Sequence, residues 1–173
     1  VEGEAGGTIR LTSAPGEGTV VELRLPVSPL GELRATGGGP DLPSPPDGFS
    51  LLAVERDPEL ARLIYEALKQ CWKTTPVVVA GMESAAAALH VRPFTVCLLD
   101  ADADPGGPAA AVERVAHLRA DVRIVLTVSR NSWSALDRPP DRPVAATLPK
   151  PYSVPELLRT LAAAADPEPR GKP

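Results

Sequence analysis

Four residues of this 173-residue chain have the types and the surroundings to do chemistry together: Glu55, Asp100, Thr127 and Lys150. Each closes or closely follows a short apolar run. The runs are Leu51-Leu52-Ala53-Val54-Glu55, Thr95-Val96-Cys97-Leu98-Leu99-Asp100, Val125-Leu126-Thr127 and Leu148-Pro149-Lys150. Two carboxylates, a hydroxyl and an ammonium around one hollow suit a phosphoryl group. A carboxylate such as Asp100 can attack phosphorus as a nucleophile. A second acid, Glu55, can help hold a divalent cation that neutralises phosphate oxygens. Thr127 can donate a hydrogen bond to a phosphoryl oxygen, and Lys150 can pair with Asp100 and later with the phosphate. Taken singly, each reads more readily as a surface residue, and Asp100 reads equally well as a helix cap or turn residue. The ordered set at successive run ends is the signal.

The elements that must position these residues follow from the pattern around them. Apolar runs this short, without charge, suit strands buried on both faces of a sheet. The run ending on Asp100 stops at Ala101-Asp102-Ala103-Asp104-Pro105-Gly106-Gly107, which is small, acidic and turn-forming. Further strands are expected over 49–54, 76–80, 122–128 and 144–148. Asp57 followed by Pro58 is a helix start, with Asp as N-cap and Pro at the first helical position. Leu60, Leu63, Ile64, Ala67, Leu68 and Cys71 then fall on one helical face. Helices are also expected over 83–90 and 109–119. The last helix opens with the capping box Ser153-Val154-Pro155-Glu156 and buries Leu157, Leu158, Leu161 and Ala165. Residues 130–143 offer only a short helix around Trp133, Ala135 and Leu136, cut by Pro139-Pro140 and Pro143. Strands alternating with helices imply right-handed βαβ units and a parallel sheet. The expected fold is α/β: a doubly wound five-stranded sheet of flavodoxin-like type, order 2-1-3-4-5, with ligands at the carboxyl ends of the strands.

Upstream the character changes. Thr8–Ser13 and Val21–Leu25 alternate apolar and polar residues around the turn-rich Ala14-Pro15-Gly16-Glu17-Gly18-Thr19, a β-hairpin pattern. Ile9 and Leu11 would share a face with Val21, Leu23 and Leu25. A lone hairpin is marginal in water, so its covering partner is expected upstream of Val1. Residues 27–48, dense in Pro and Gly, read as a flexible, partly extended tether. The polar, Pro-rich residues 166–173 read as a disordered tail.

Bulk properties narrow the function. The net charge of -4 gives no electrostatic footprint for nucleic acid, and no apolar run reaches membrane-spanning length. A hydrophobic content of 43% with only 3% aromatics makes Leu, Val and Ala the core formers. Cys71 and Cys97 have no thiol or His at metal-ligand spacing, and both read as structural thiols in a reducing cytoplasm. His90 and His117 are isolated and read as solvated helix residues.

Two stretches resemble known families. Gly6-Gly7-Thr8-Ile9, Ser13 to Thr19 and Leu23-Arg24-Leu25-Pro26 are similar to the tail of a histidine-kinase ATP-binding domain. That likeness would make Gly18 and Thr19 nucleotide neighbours. The asparagine-bearing helix and earlier glycine boxes of that family are missing, so the chain alone is not expected to act as a kinase. The alternative for these residues is a glycine-rich hairpin loop without a nucleotide role. Residues 49–165 resemble a response-regulator receiver domain, through the four run ends and the pair Lys150-Pro151. The resemblance implies Asp100 as phospho-acceptor, Thr127 as switch hydroxyl and Lys150 as the family's lysine, with a cis Lys150–Pro151 bond. It also implies magnesium held by Glu55, Asp100 and the backbone carbonyl of Asp102. The partner would be a histidine kinase or histidine phosphotransfer domain, and the parent protein a hybrid sensor histidine kinase.

The sequence departs from the receiver pattern in two places. Where the family carries two adjacent acids, this chain has Glu55-Arg56. One misplaced unit charge at ~5 Å and an effective dielectric of ~20 costs roughly 3 kcal/mol, over a hundredfold in metal affinity before screening. Arg56 could instead pair with Asp100 and stand in for the metal. Thr147 lies where many receivers have an aromatic switch residue. These departures support an alternative: a degenerate pseudo-receiver that binds partners without being phosphorylated.

Overall fold

The computed structural model describes residues 8–14, 16, 18–24, 42–129, 132 and 144–166. The chain divides into two compact units, Val1–Asp41 and Leu42–Pro173.

In the first unit, β1 (Thr8–Ala14) and β2 (Gly18–Arg24) pair antiparallel, with Ile9 opposite Leu23, Leu11 opposite Val21 and Ala14 opposite Gly18. Ile9, Leu11 and Val21 share a face, as the alternation predicts, and all three are exposed. Gly18 sits at φ +87°, a backbone conformation that favours glycine where the turn re-enters the strand. Gly6, Gly7, Leu25 and Pro26, which the kinase resemblance also uses, lie outside the described residues.

The second unit is the α/β domain. Its strands are β3 (Leu51–Val54), β4 (Val77–Val79), β5 (Val96–Asp100), β6 (Arg123–Val128) and β7 (Ala146–Pro149). All neighbouring pairs are parallel and the spatial order is β4-β3-β5-β6-β7, the doubly wound 2-1-3-4-5 arrangement expected. The helices are α1 (Pro58–Ala67), α2 (Met82–Val91), α3 (Gly107–Leu118) and α4 (Val154–Ala165). β5 is buried along its whole length, and its alternation feeds two cores. Cys97 and Leu99 pack with Met82, Leu89, Val112 and Val115 on the α2–α3 side. Val96 and Leu98 pack with Ile64, Leu68, Leu157 and Leu161 on the α1–α4 side. Burying each such Leu contributes roughly 1.5–3 kcal/mol, which is how so few aromatics suffice. The interrupted helix expected within 130–143 falls outside the described residues, Ser132 excepted.

Two expectations are corrected. Past Ala67 the helix widens into a π-helical turn, Leu68–Trp72, closed by Lys73 in the left-handed region (φ 55°). The extra residue per turn rotates the face, so Trp72 is buried and Cys71, expected inward, is exposed. Residues 42–48, assigned by composition to the tether, go with the second unit. Their anchor is Trp72, whose indole Nε1 donates to the Pro43 carbonyl at 2.6 Å.

Candidate functional site

Strand register lines up the four chemical residues. Val54 is level with Leu99, and Asp100 is level with Thr127, which in turn is level with Leu148. Three ladder bonds carry this order past the strand ends: Glu55 N–H to the Val79 carbonyl (2.9 Å), Ala101 N–H to Thr127 (2.9 Å) and Lys150 N–H to Val128 (2.7 Å). Glu55, Asp100 and Thr127 therefore occupy one row at the carboxyl rim, with Lys150 just beyond it. All three row residues are buried despite their polarity.

Buried carboxylates need compensation, and Lys150 supplies it. Its Nζ lies 2.8 Å from Glu55 Oε2 and 3.1 Å from Asp100 Oδ1. The other Glu55 oxygen accepts from the Asp57 N–H at 3.0 Å. Asp100 Oδ1 also accepts from the Asp102 N–H at 3.2 Å. Among the described residues no donor lies on Asp100 Oδ2. Thr127 Oγ1 donates to the Leu99 carbonyl at 3.5 Å, a long bond that a better acceptor can replace. The Lys150–Pro151 bond is cis, as the resemblance implies.

Two neighbouring residues do not join the row. Arg56 is exposed, and Lys150 rather than Arg56 makes the ion pair with Asp100. Asp57 is the N-cap of α1: its Oδ1 accepts from Glu59 N–H (2.8 Å) and Leu60 N–H (3.1 Å). Gly18 and Thr19 belong to the hairpin unit, where Thr19 Oγ1 lies 3.0 Å from Ser13 Oγ across the strands.

Three side chains at the rim were missed. Ser129, two residues after Thr127 and just past the end of β6, reaches Asp102 Oδ2 at 3.5 Å and Ser132 Oγ at 2.7 Å. The period-2 rule puts Thr127 and Ser129 on one side and could have found it. Asp104 holds Arg114 at 3.0 Å and the Gly106 N–H at 2.8 Å, fixing the loop beside Asp102. Tyr152 has a buried hydroxyl without a partner among the described residues. Burial first, then the Glu55 and Asp100 charges, push its pKa up, so the phenol keeps its proton. With Lys150, Asp57 and Leu60 it lines a cavity of about 520 Å³ between the start of α1 and the β7–α4 connection.

No group of three or more His, Cys, Asp or Glu side chains among the described residues is arranged for a metal. The donor set nevertheless fits magnesium, which keeps several waters and is bound through one or two carboxylates plus substrate phosphates. Glu55 and Asp100 would be those carboxylates. No described helix is long and apolar enough to cross a membrane.

Comparison with known proteins gives the fold its setting. No protein-family model matches the sequence, and no curated protein matches it. Solved structures do. The signal receiver domain of a two-component response regulator from Bacteroides fragilis superposes at a TM-score of 0.61 with 18% identity, over 69% of this chain and 98% of that one. The receiver domain of a Pseudomonas aeruginosa sensor histidine kinase, solved with magnesium in its active-site cleft, gives 0.59 with 18% identity over 68% and 98%. A sensor protein from Polaromonas gives 0.58 with 20% identity over 68% and 96%. The α/β domain has the flavodoxin-like fold of receiver domains.

Proposed function

We propose that residues 49–165 form a phosphorelay receiver whose Asp100 accepts a phosphoryl group from the phosphohistidine of a histidine kinase or histidine phosphotransfer domain. In this reading residues 1–26 are the tail of a histidine-kinase ATP-binding domain, with Gly18 and Thr19 as remnants of its nucleotide pocket. Residues 27–41 tether the two, and the parent is a hybrid sensor histidine kinase. The observation that carries the proposal is Lys150 Nζ bridging the carboxylates of Glu55 and Asp100 at the rim, 2.8 Å and 3.1 Å away.

The chemistry follows from the row. Asp100 Oδ2 attacks phosphorus, the new O–P bond forms, and the P–N bond to the donor imidazole breaks in line. Asp100 is level with Thr127 in the ladder, so the Thr127 hydroxyl can exchange the Leu99 carbonyl for a phosphoryl oxygen. Lys150 keeps its charge beside the transferred group. Glu55, Asp100 and the Asp102 carbonyl would hold magnesium, which supplies positive charge against the phosphoryl oxygens. Beryllofluoride tests the reading, because it mimics an acyl phosphate on a carboxylate. With magnesium it should bind the wild type and not Asp100→Asn, read by fluorine NMR. Equal spectra for the two proteins would overturn the assignment of Asp100.

A second reading, a pseudo-receiver that binds partners without phosphorylation, is favoured by one observation. Lys150 already compensates both carboxylates, and Arg56 stands where the family pattern has a second acid. Beryllofluoride binding to Arg56→Asp but not to the wild type would select it.

A further inference from the structure

At the opposite end of the sheet from Asp100, where Phe49 and Ser50 lead into β3, the chain carries a second constructed contact. Trp72 is buried at the close of the π-helical turn. Its ring meets Phe49 edge to face, centroids 5.0 Å apart and planes at 86°. Its indole N–H donates to the carbonyl of Pro43, 29 residues earlier, at 2.6 Å. The segment it holds is Leu42-Pro43-Ser44-Pro45-Pro46. Proline fixes φ near −65°, and a residue preceding proline is pushed into the extended region. Positions 42, 44 and 45 all precede a proline. The local sequence thus pre-forms a polyproline-II strand with outward carbonyls and little entropy left to lose. A β-turn then returns the chain to the sheet: Phe49 N–H donates to the Pro46 carbonyl at 3.1 Å, with Gly48 at φ +72°.

An indole N–H on a proline-rich carbonyl, beside a second aromatic ring, is the physical basis of polyproline-II recognition by aromatic-lined grooves. We propose that Trp72 and Phe49 form a seat for a proline-rich segment, filled in this chain by its own residues 43–46, so that this part of the tether docks on the α/β domain and lifts from it as a unit. The π-helical turn is what creates the seat. An unbroken α-helix would face Cys71 inward and turn the indole away. The contact reads backbone and not side chains, so the ligand class is any extended proline-rich segment that offers a carbonyl to the indole. The resident occupant is favoured because it is tethered, at an effective concentration in the millimolar range.

The test uses the full chain. Trp72→Phe keeps an aromatic ring but removes the donor. A triple variant, Pro43→Gly with Pro45→Gly and Pro46→Gly, leaves the seat intact and loosens the occupant. In both, hydrogen exchange at the Phe49 amide should accelerate by up to about tenfold, the worth of one hydrogen bond. Amides of β5 and β6 should keep their rates. A Trp133→Phe background leaves Trp72 as the only tryptophan. There, a peptide of residues 42–47 should shift Trp72 emission saturably in the triple variant and leave the unsubstituted segment's protein unchanged. If Trp72→Phe accelerates the sheet amides as well, the triple variant decides. The proposal is overturned if the triple variant's Phe49 exchange stays at the wild-type rate, or if its sheet amides accelerate in step with Phe49, making the segment part of the core. A peptide without effect on the vacated seat also overturns it.

Discussion

Replacing Lys150 by Met should uncover two buried anions, and the size of the effect follows from the geometry. Lys150 Nζ stands 2.8 Å from Glu55 and 3.1 Å from Asp100, and the side chains are 19%, 3% and 5% exposed. At an effective dielectric of about 20 each contact is worth roughly 5–6 kcal/mol of gross attraction. Desolvation offsets most of that, and breaking a buried pair by removing one partner costs about 3–5 kcal/mol net. With a urea m value of about 2 kcal/mol/M, the unfolding midpoint of Lys150→Met should fall by about 1.5–2.5 M. A double-mutant cycle with Glu55→Gln separates the pair from general damage. The two changes share a partner, so the double variant should be less destabilised than the sum, by about 0.5–3 kcal/mol. Magnesium should then act as a substitute cation. At ten times its Kd it should return about 1.4 kcal/mol to Lys150→Met. A midpoint shift under about 0.5 M together with strict additivity would refute the claim that Lys150 balances the rim, and the proposed site with it.

Other perturbations test separate parts of the structure. Arg56→Asp should raise magnesium affinity, by about tenfold if solvent screens most of the roughly 3 kcal/mol unscreened term; an unchanged titration would remove Arg56 from the electrostatics of the site. Cys97 is fully buried and burial alone pushes its thiol up to about 12, so an alkylating reagent at pH 8 should modify Cys71 and reach Cys97 only in denaturant, giving one thiol per folded chain by mass. Hydrogen bonds from the Ser153 backbone and hydroxyl lower the Glu156 pKa. A carboxyl lowered in the folded state stabilises above its unfolded pKa, and this is lost as pH falls through the folded value. Urea midpoints should therefore decline on the acid side less steeply for Glu156→Gln than for wild type. Ser153→Ala, which removes the N-cap of α4, should cost about 1 kcal/mol at neutral pH by urea titration.

What could be read from the chain depended on how local the determining physics was. The helix starts at Asp57-Pro58 and Ser153–Glu156 were legible because a cap is decided within four residues. The row Glu55, Asp100, Thr127 was legible because each apolar run ends where its polar residue begins, and a parallel sheet puts those ends on one rim. Register then did what no spacing rule states: it brought Lys150 onto Glu55, 95 residues away. Competition between Arg56 and Lys150 for Asp100 was open in the sequence because both are cations of sufficient reach. The fold decided it, since Lys150 leaves β7 over the row while Arg56 sits exposed before α1. Trp72 was invisible because a π-helical turn has no strong sequence signature, and one added residue per turn exchanges Trp72 for Cys71 on the buried face. The placement of residues 42–48 was missed for the same reason: their proline content read as freedom, when their partner was the Trp72 indole.

The charge count at the rim explains why one substitution carries so much. A receiver with two adjacent acids, the acceptor Asp, one Lys and a bound divalent cation is neutral at rest. Here Glu55 and Asp100 face Lys150, with the exposed Arg56 beside them where that pattern has an acid. Phosphorylation of the acceptor Asp would replace one carboxylate charge by a group of about −1.5 to −2 and would move both rims by about the same amount. Arg56 adds positive charge near this rim only from an exposed position, where solvent screens it. Magnesium binding at this rim would meet carboxylates that Lys150 already compensates, so it would have to displace Lys150 from Glu55 or share the carboxylates with it. Arg56→Asp restores the negative rim and Lys150→Met empties it of its internal cation. Both should raise magnesium affinity, one at the edge of the site and the other at its centre, and Lys150→Met should do so more because its charge is the less screened.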